Sequence, residues 1–395
     1  MKRLRLDDKM YILELFLVIS ICFFTMIEQT AVVSVLFAAT FILMVLIVLL
    51  QLWLKPKLNN LHIIAFSLLV LSFVHVTMSA DALSFDYYKK LIMFACTVLM
   101  LPVVESTQVN RKMVNWVLGL NLLLAMLYAI MYFAVGVRGE IADHLTLNFS
   151  NPNATGMFLM HSVLYCAISF YYFRHWLPKF LAAILTLVIL WLLWQTDARS
   201  TLVAMFGFAF FAVINIVLKK EIKISPKISF VLVLLPLLVA AVYLAIAETD
   251  FLNRWFGFFI SEGKPMTSRV RIWSNVLAWY RNAPIVGAYN GISDGTGVSQ
   301  LHNTHLDVLT SYGTVPFVLF IMLLHQGIVR ILPLAKTSFS RMCMFAFYAV
   351  LIQGSFEAAL VSGGTGLYIL SFGFLLLAKY NPEQVWRPTI RQKTY

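Results

Sequence analysis

The second apolar run of the chain reads AVVSVLFAATFILMVLIVLLQLW and covers residues 31–53. It contains no charged residue, and a helix of this length, rising about 1.5 Å per residue, crosses the hydrocarbon core of a bilayer, which is about 30 Å thick. Lipid offers the backbone no hydrogen-bond partner, so a spanning segment pairs its N–H and C=O groups internally as an α-helix. The run therefore predicts a transmembrane helix.

Similar runs extend outward from this one to both ends of the chain. Hydrophobic residues make up 61% of the sequence, charged residues 12%, and the mean hydropathy is +0.84, whereas a soluble domain has about 25% charged residues. We predict an all-α, polytopic integral membrane protein that forms a single membrane domain over residues 1–395. Its twelve predicted spans cover residues 10–27, 31–53, 61–78, 87–104, 113–135, 154–173, 178–195, 200–218, 228–247, 304–328, 342–360 and 365–377.

The basic residues of the connectors predict the orientation. If the N-terminus is cytoplasmic, the connectors and termini on that side carry about 21 of the 30 Lys and Arg residues. This bias is typical of the cytoplasmic side of membrane proteins, so both termini are predicted to be cytoplasmic. The net charge of +12 follows from the same bias and gives no reason to predict nucleic-acid binding.

The longest hydrophilic interval covers residues 248–303, between the ninth and tenth predicted spans. In the predicted orientation it is a large outer loop, on the extracytoplasmic side of the membrane. It combines arginines and aromatic residues with a glycine-rich turn over residues 287–297. Because binding and catalytic residues are frequent on loops held by a rigid scaffold, we expect chemistry on a charged substrate here.

The sequence lacks the common motifs for energy coupling, redox chemistry and zinc hydrolysis. It contains no CxxC, no Walker-type glycine loop and no HExxH, so ATP-driven transport is unsupported, and we predict neither a cofactor nor a metal. His302 and His305 lie three residues apart, which leaves a metal pair as a weaker alternative. The four cysteines, all inside predicted spans, are expected to be unpaired: Cys22, Cys96, Cys166 and Cys343.

The connector over residues 196–201 places Arg199 at the outer membrane boundary. An arginine held at this depth is usually functional or paired, because a charge drawn toward hydrocarbon is costly. One interpretation is a guanidinium that binds phosphate oxygens through two parallel hydrogen bonds. The other is an ion pair with Asp197.

The outer loop contains a second arginine motif over residues 268–273. If this stretch is helical, Arg269, Trp273 and Tyr280 lie near one face and Arg271 points elsewhere. A cation beside aromatic rings suits a substrate that has both phosphate and sugar. The alternative is an amphipathic helix anchored at the lipid headgroups.

The start of the tenth predicted span carries His302 and Asn303. A histidine at a helix mouth can remove a proton from a hydroxyl near neutral pH, although a capping role is equally compatible with the position. Residues 138–153 form another outer connector, which could bind sugar or only cap the next helix; its candidate residues are Arg138, Asn151 and Asn153. Glu14 and Glu357 are carboxylates in or near predicted spans and therefore functional suspects, without an assigned role.

These motifs together resemble the O-antigen ligase and polymerase superfamily (the WaaL ligases and Wzy polymerases), membrane glycosyltransferases of the GT-C type. Four features carry the resemblance: His302-Asn303 followed after nine residues by Gly313, the TxxRxxL-like turn with Arg199, the SRxxxW element with Arg269 ahead of Pro284-x-x-Gly287, and the NPN element Asn151-Pro152-Asn153. Members usually have a second glycine three residues after the first, where this chain has Pro316.

The resemblance implies transfer of a glycan from undecaprenyl diphosphate to an acceptor sugar hydroxyl, at the outer face of the bacterial cytoplasmic (inner) membrane. It implies an inverting, metal-independent reaction, with His302 as the base and Arg269 and Arg199 at the leaving diphosphate. The implied substrate-binding residues are Arg271, Asn303, Trp273, Tyr280, Arg138, Asn151 and Asn153. Implied partners are the lipid-linked donor, an acceptor glycan or glycolipid, membrane lipid and chain-length regulator proteins.

Within this superfamily, the NPN element favours a polymerase of O-antigen, capsule or exopolysaccharide. The alternative is an O-antigen ligase that transfers the polymer to lipid A-core, since the turn around Arg199 also resembles ligases. A second alternative, from another class, is a lipid or polysaccharide transporter. Such transporters carry ionisable residues near the bilayer midplane in both halves of the chain, whereas the polar residues of this chain concentrate at one predicted surface.

Overall fold

The structure is a computed structural model, and it describes residues 6–54, 58–78, 85–137, 139–141, 143–149, 151–216, 224–247, 267–281, 284–285, 301–361 and 366–381. Much of the predicted outer loop, namely residues 248–266, 282–283 and 286–300, lies outside these ranges.

The described residues are mainly helical. The helices are α1 (Leu6–Met26), α2 (Thr30–Leu54), α3 (Asn60–Met78), α4 (Phe85–Ser106), α5 (Arg111–Ile130), α6 (Pro152–Tyr172), α7 (Trp176–Gln195), α8 (Arg199–Ile216), α9 (Pro226–Ala247), α10 (Thr267–Tyr280), α11 (Thr304–Tyr312), α12 (Thr314–Ile331), α13 (Ser338–Gln353) and α14 (Leu367–Ala378). A π-helical turn (Met131–Val135) extends α5, and a short antiparallel hairpin of β1 (Glu140–Ile141) and β2 (His144–Leu145) precedes α6.

Nine candidate membrane-spanning helices occur among the described residues: α1, α2, α3, α5, α6, α7, α8, α9 and α12. Two further helices, α13 and α14, are apolar but shorter. By length and composition, these helices confirm the all-α class of a multi-pass membrane protein. The count of twelve spans, the outward loop and the cytoplasmic termini stay predictions.

Two predicted spans differ from the observed helices. The predicted span over 304–328 is divided at Gly313, whose φ of 89° is one that glycine tolerates and that ends α11. Pro316 lies in the first turn of α12, where a missing N–H disrupts no helical hydrogen bond. The predicted span over 342–360 ends at Gln353, and a turn follows.

The core of the bundle lies around α6 and α14. In α6, 83% of an 18-residue apolar stretch is buried, and every residue of α14 is buried. Polar groups between these helices pair with each other: Tyr165 Oη donates to the Leu370 carbonyl oxygen at 2.7 Å, and a His161 ring nitrogen lies 2.9 Å from Ser371 Oγ. The four cysteines are buried and free, as predicted.

Contacts between connectors show which helix ends lie together. Gly156, near the start of α6, packs against the connector between α7 and α8 so closely that a Cβ placed on it would clash with Ala198 Cβ. Thr201 in the first turn of α8 accepts a 2.9 Å hydrogen bond from Gln353 Nε2 at the end of α13. The starts of α6 and α8 and the end of α13 therefore share one end of the bundle.

Candidate functional site

Glu357, in the turn after α13, joins two residues predicted from separate motifs. Its Oε1 accepts a 3.0 Å hydrogen bond from Arg269 Nη2, and its Oε2 lies 2.8 Å from His302 Nδ1. The Glu357 side chain is 3% exposed, whereas those of Arg269 and His302 are 26% and 23% exposed. A buried carboxylate thus holds a cation and an imidazole, both of which reach solvent.

The geometry assigns different roles to the two nitrogens of His302. A carboxylate oxygen only accepts, so Nδ1 carries the proton that it donates to Glu357. In the neutral imidazole, Nε2 then has the lone pair and can accept a proton. This is the arrangement in which a carboxylate fixes the tautomer and orientation of a general base.

Backbone strain accompanies this histidine. His302 has a φ of 49°, in the left-handed region that few residues other than glycine occupy. Such conformations cost about 1–3 kcal/mol and persist where the surrounding structure over-determines them. The residues before and after His302 are both fixed in place. The Leu301 carbonyl oxygen accepts a hydrogen bond from Trp273 Nε1 at 2.7 Å, and Asn303 is fully buried.

Asn303 uses all of its side-chain polar groups inside the protein. Its Oδ1 caps α11 by accepting from the backbone N–H groups of His305 and Leu306, both at 3.0 Å. Its Nδ2 donates to the carbonyl oxygens of Pro236 at 2.8 Å and Ser355 at 3.0 Å. The structure therefore places Asn303 beneath His302 with its side-chain polar groups bonded inside the protein, and its substrate contact stays a prediction.

The turn that carries Glu357 is also bonded to the start of α11. The Thr304 backbone N–H donates to the Gly354 carbonyl at 2.9 Å, and Thr304 Oγ1 donates to the Glu357 carbonyl at 3.1 Å. Together with the bond from Asn303 to Ser355, these contacts fix the carboxylate relative to His302.

Stability measurements separate this structural role of Asn303 from a role in substrate binding. Asn303→Ala removes a helix cap and leaves buried carbonyl groups unpaired, so we expect a loss of about 2–4 kcal/mol in the free energy of unfolding. Thermal unfolding in detergent measures this loss of stability. Asn153, a half-buried residue in the first turn of α6, provides the control: Asn153→Ala is expected to change the stability little. Unchanged stability with lost activity would support the substrate-binding assignment.

The predicted helix around Arg269 is observed as α10, but one of its aromatic residues faces inward. Trp273 is fully buried, packs edge-on against Tyr243 at 5.4 Å between ring centroids, and donates to Leu301. In this structure the indole therefore packs inside the protein, and its substrate contact stays a prediction. Tyr280 is half-buried, and its hydroxyl hydrogen-bonds Thr314 Oγ1 at the start of α12.

His305 is a core residue and belongs to no metal pair with His302. His305 Nε2 donates to the Val233 carbonyl oxygen of α9, in the turn before Pro236, at 2.6 Å. Burial of His305 in α11 lowers its pKa to about 4, although the bond to Val233 raises it in part. Within the described ranges, no group of three or more His, Cys, Asp or Glu side chains could hold a metal ion.

Arg199 lies at the same end of the bundle as Glu357. Its guanidinium pairs with Asp197, Nη2 to Oδ2 at 3.4 Å, with both side chains at least 36% exposed. An exposed pair of this kind contributes about 1 kcal/mol or less. The connection to Glu357 runs through Thr201 and Gln353, since the Glu357 backbone N–H donates to the Gln353 carbonyl at 3.0 Å.

The NPN element forms the start of α6. Asn151 Oδ1 accepts from the Ala154 backbone N–H at 2.8 Å, so this side chain is a helix cap, while Asn153 is half-buried. Arg138 lies outside the described residues, and the same holds for the side chain of Arg271, whose backbone is in α10.

A comparison of the chain with protein-family models and with curated proteins finds no match. The resemblance to the O-antigen ligase and polymerase superfamily, and the function it implies, therefore stay predictions. Sequence reasoning did not connect Glu357 with the site. The available signal was a carboxylate near the end of an apolar span, but its two partners lie 55 and 88 residues away in the sequence.

Proposed function

We propose that this protein is a membrane glycosyltransferase that polymerises a surface polysaccharide from undecaprenyl-diphosphate-linked units at the outer face of the bacterial cytoplasmic membrane. The observation that supports this most is the arrangement of Arg269 and His302 on Glu357. It combines a cation suited to a diphosphate with an oriented base suited to a hydroxyl, and both are partly exposed.

In the proposed reaction, the acceptor hydroxyl gives its proton to Nε2 of His302 as its oxygen bonds to the anomeric carbon. The bond from that carbon to the diphosphate oxygen breaks, and its electron pair leaves with the diphosphate. Attack opposite the leaving group inverts the anomeric carbon. Glu357 stabilises the imidazolium that forms, as a carboxylate on Nδ1–H does.

The leaving diphosphate gains negative charge as the bond breaks, so a nearby guanidinium stabilises the transition state more than the ground state. Arg269 has five N–H donors, and the hydrogen bond from Nη2 to Glu357 uses one of them. It can therefore contact a phosphate while it remains paired with Glu357. Arg199, at the same end of the bundle, is the second proposed contact of the diphosphate.

Deletion of the gene in its host, followed by electrophoresis of the surface glycan, tests the proposal. A ladder reduced to single repeat units on their normal anchor is the result expected of a polymerase. Long chains that accumulate on the lipid carrier, beside an unmodified acceptor, would instead identify a ligase. Repeat units trapped on the cytoplasmic side would overturn the enzyme and favour a transporter.

His302→Ala tests the proposed base. We expect turnover to fall by about 10²–10⁴-fold, the usual contribution of a general base, while donor binding changes little. Transfer from a lipid-linked donor by the purified protein measures both. His175→Ala, at an exposed position directly before α7, is a control with expected normal turnover. Collapsed donor binding with unchanged turnover would show that His302 is not the base.

A further inference from the structure

The exposed face of α5 has an open groove near its first residues. The groove has a volume of about 450 Å³ and is lined by Lys112, Asn115, Trp116, Gly119, Leu120 and Leu123. Trp116 is 52% exposed, and no atom lies within 4 Å of the position that a Cβ on Gly119 would occupy. Because α5 belongs to the candidate span Arg111–Val135, the groove opens toward lipid.

Along α5, the lining residues match the successive parts of a phospholipid, from its headgroup to its acyl chain. Lys112 lies at the helix end, where a headgroup phosphate would be, followed by the amphipathic ring of Trp116 and then by the hollow at Gly119 and Leu123. A membrane interface favours this sequence of cation, indole and aliphatic chain. From Lys112 to Leu123 the helix rises about 16 Å, which matches one leaflet of a hydrocarbon core about 30 Å thick.

The charge around the groove is positive. Arg111 and Lys112 are both exposed in the first turn of α5. The Asp8 carboxylate offsets part of this charge, because its Oδ2 accepts from Asn110 Nδ2 at 2.7 Å. A basic residue near a membrane surface attracts anionic lipid by about 1 kcal/mol.

We propose that this groove binds one anionic phospholipid, with its phosphate on Lys112 and an acyl chain across Gly119 beside Trp116. A second copy of the chain is the less favourable occupant. A parallel two-fold pair about this face would bring the Lys112 residues of both copies together, and like charges repel. The lipid site is independent of the proposed catalytic function.

Native mass spectrometry of the purified full-length protein tests the proposal. Protein reconstituted with equal amounts of phosphatidylglycerol and phosphatidylcholine of identical chains is released from the membrane mimetic, and the retained lipid is counted. We expect retention of one phosphatidylglycerol in preference to phosphatidylcholine. Lys112→Ala is expected to lower this preference about fivefold, the effect of one basic residue at an anionic surface.

Gly119→Leu tests the groove without a change of charge. The hollow accommodates the new side chain, and leucine favours a helix over glycine, so the protein is expected to fold normally and lose the retained lipid. Lys179→Ala, which removes a cation outside the groove, is the control expected to retain it. Equal retention of the two lipids by the unaltered protein, or full retention by Gly119→Leu, would overturn the proposal. A dimer mass in the unaltered protein that disappears in Gly119→Leu would also overturn the proposal, because it would identify a second copy of the chain in the groove.

Discussion

Arg269→Ala is expected to lower glycan transfer by at least about 10²-fold, the usual effect of removing one group that stabilises developing negative charge. The proposed reason is that Arg269 meets the leaving diphosphate while Glu357 holds the other side of its guanidinium, at 3.0 Å. Transfer by purified protein from a lipid-linked donor measures the effect. Arg281→Ala, an exposed arginine directly after α10, is the control with expected near-normal activity.

The same variant changes the charge balance around Glu357. Breaking a buried ion pair costs about 3–5 kcal/mol when one charge is left behind, although the remaining partner His302 reduces this loss here. Arg269→Lys is therefore measured alongside Arg269→Ala, because lysine keeps the positive charge but lacks the planar guanidinium that binds phosphate through two parallel hydrogen bonds. If Arg269→Lys unfolds normally yet transfers poorly, the loss concerns the substrate. Near-normal transfer by Arg269→Ala would remove Arg269 from the mechanism.

Glu357→Gln is expected to lower turnover by up to about 10⁴-fold, the effect found when a base loses its orienting carboxylate. Glutamine retains the shape of the side chain and a hydrogen-bond acceptor for His302 but has no charge to stabilise the imidazolium. Donor binding is expected to change less than turnover. Steady-state kinetics over a range of donor concentrations separates the two quantities.

A second carboxylate variant distinguishes positioning from folding. Glu105 pairs with Arg330 at 3.2 Å in a more exposed carboxylate–arginine pair that involves neither Arg269 nor His302. Glu105→Gln is therefore a matched control, for which we expect normal turnover. If Glu357→Gln unfolds at a lower temperature but turns over normally, Glu357 only supports the fold.

Several parts of the fold and site could be predicted from local sequence. The length of the apolar runs identified the helices, because a membrane-spanning segment is long and uncharged and pairs its backbone N–H and C=O groups internally. The residue types of Arg269 and His302 marked them as candidates, whereas a helix around Arg269 was considered only as a condition and is observed as α10. The break at Gly313 was missed because hydropathy is continuous across it and does not report a φ of 89°.

The inward packing of Trp273 and Asn303 could not be predicted from local sequence, for one common reason. Helical spacing shows that Arg269 and Trp273 lie near one face, but not which neighbouring element covers part of that face. Packing against Tyr243 buries the indole, and carbonyls from α9 and the turn after α13 take up the Asn303 amide. Polar and aromatic residue types alone do not distinguish a ligand contact from a satisfied position in the core.

The sequence by itself determined the class of the protein, because each helix depends only on its own composition and length in an apolar solvent. Tertiary structure alone decided the site. The meeting of Arg269 and His302 on Glu357 depends on which helix ends pack together, and the bond from His305 to the Val233 carbonyl depends on which helix approaches α9. Such contacts join residues 55 to 88 positions apart, and no local periodicity encodes that distance.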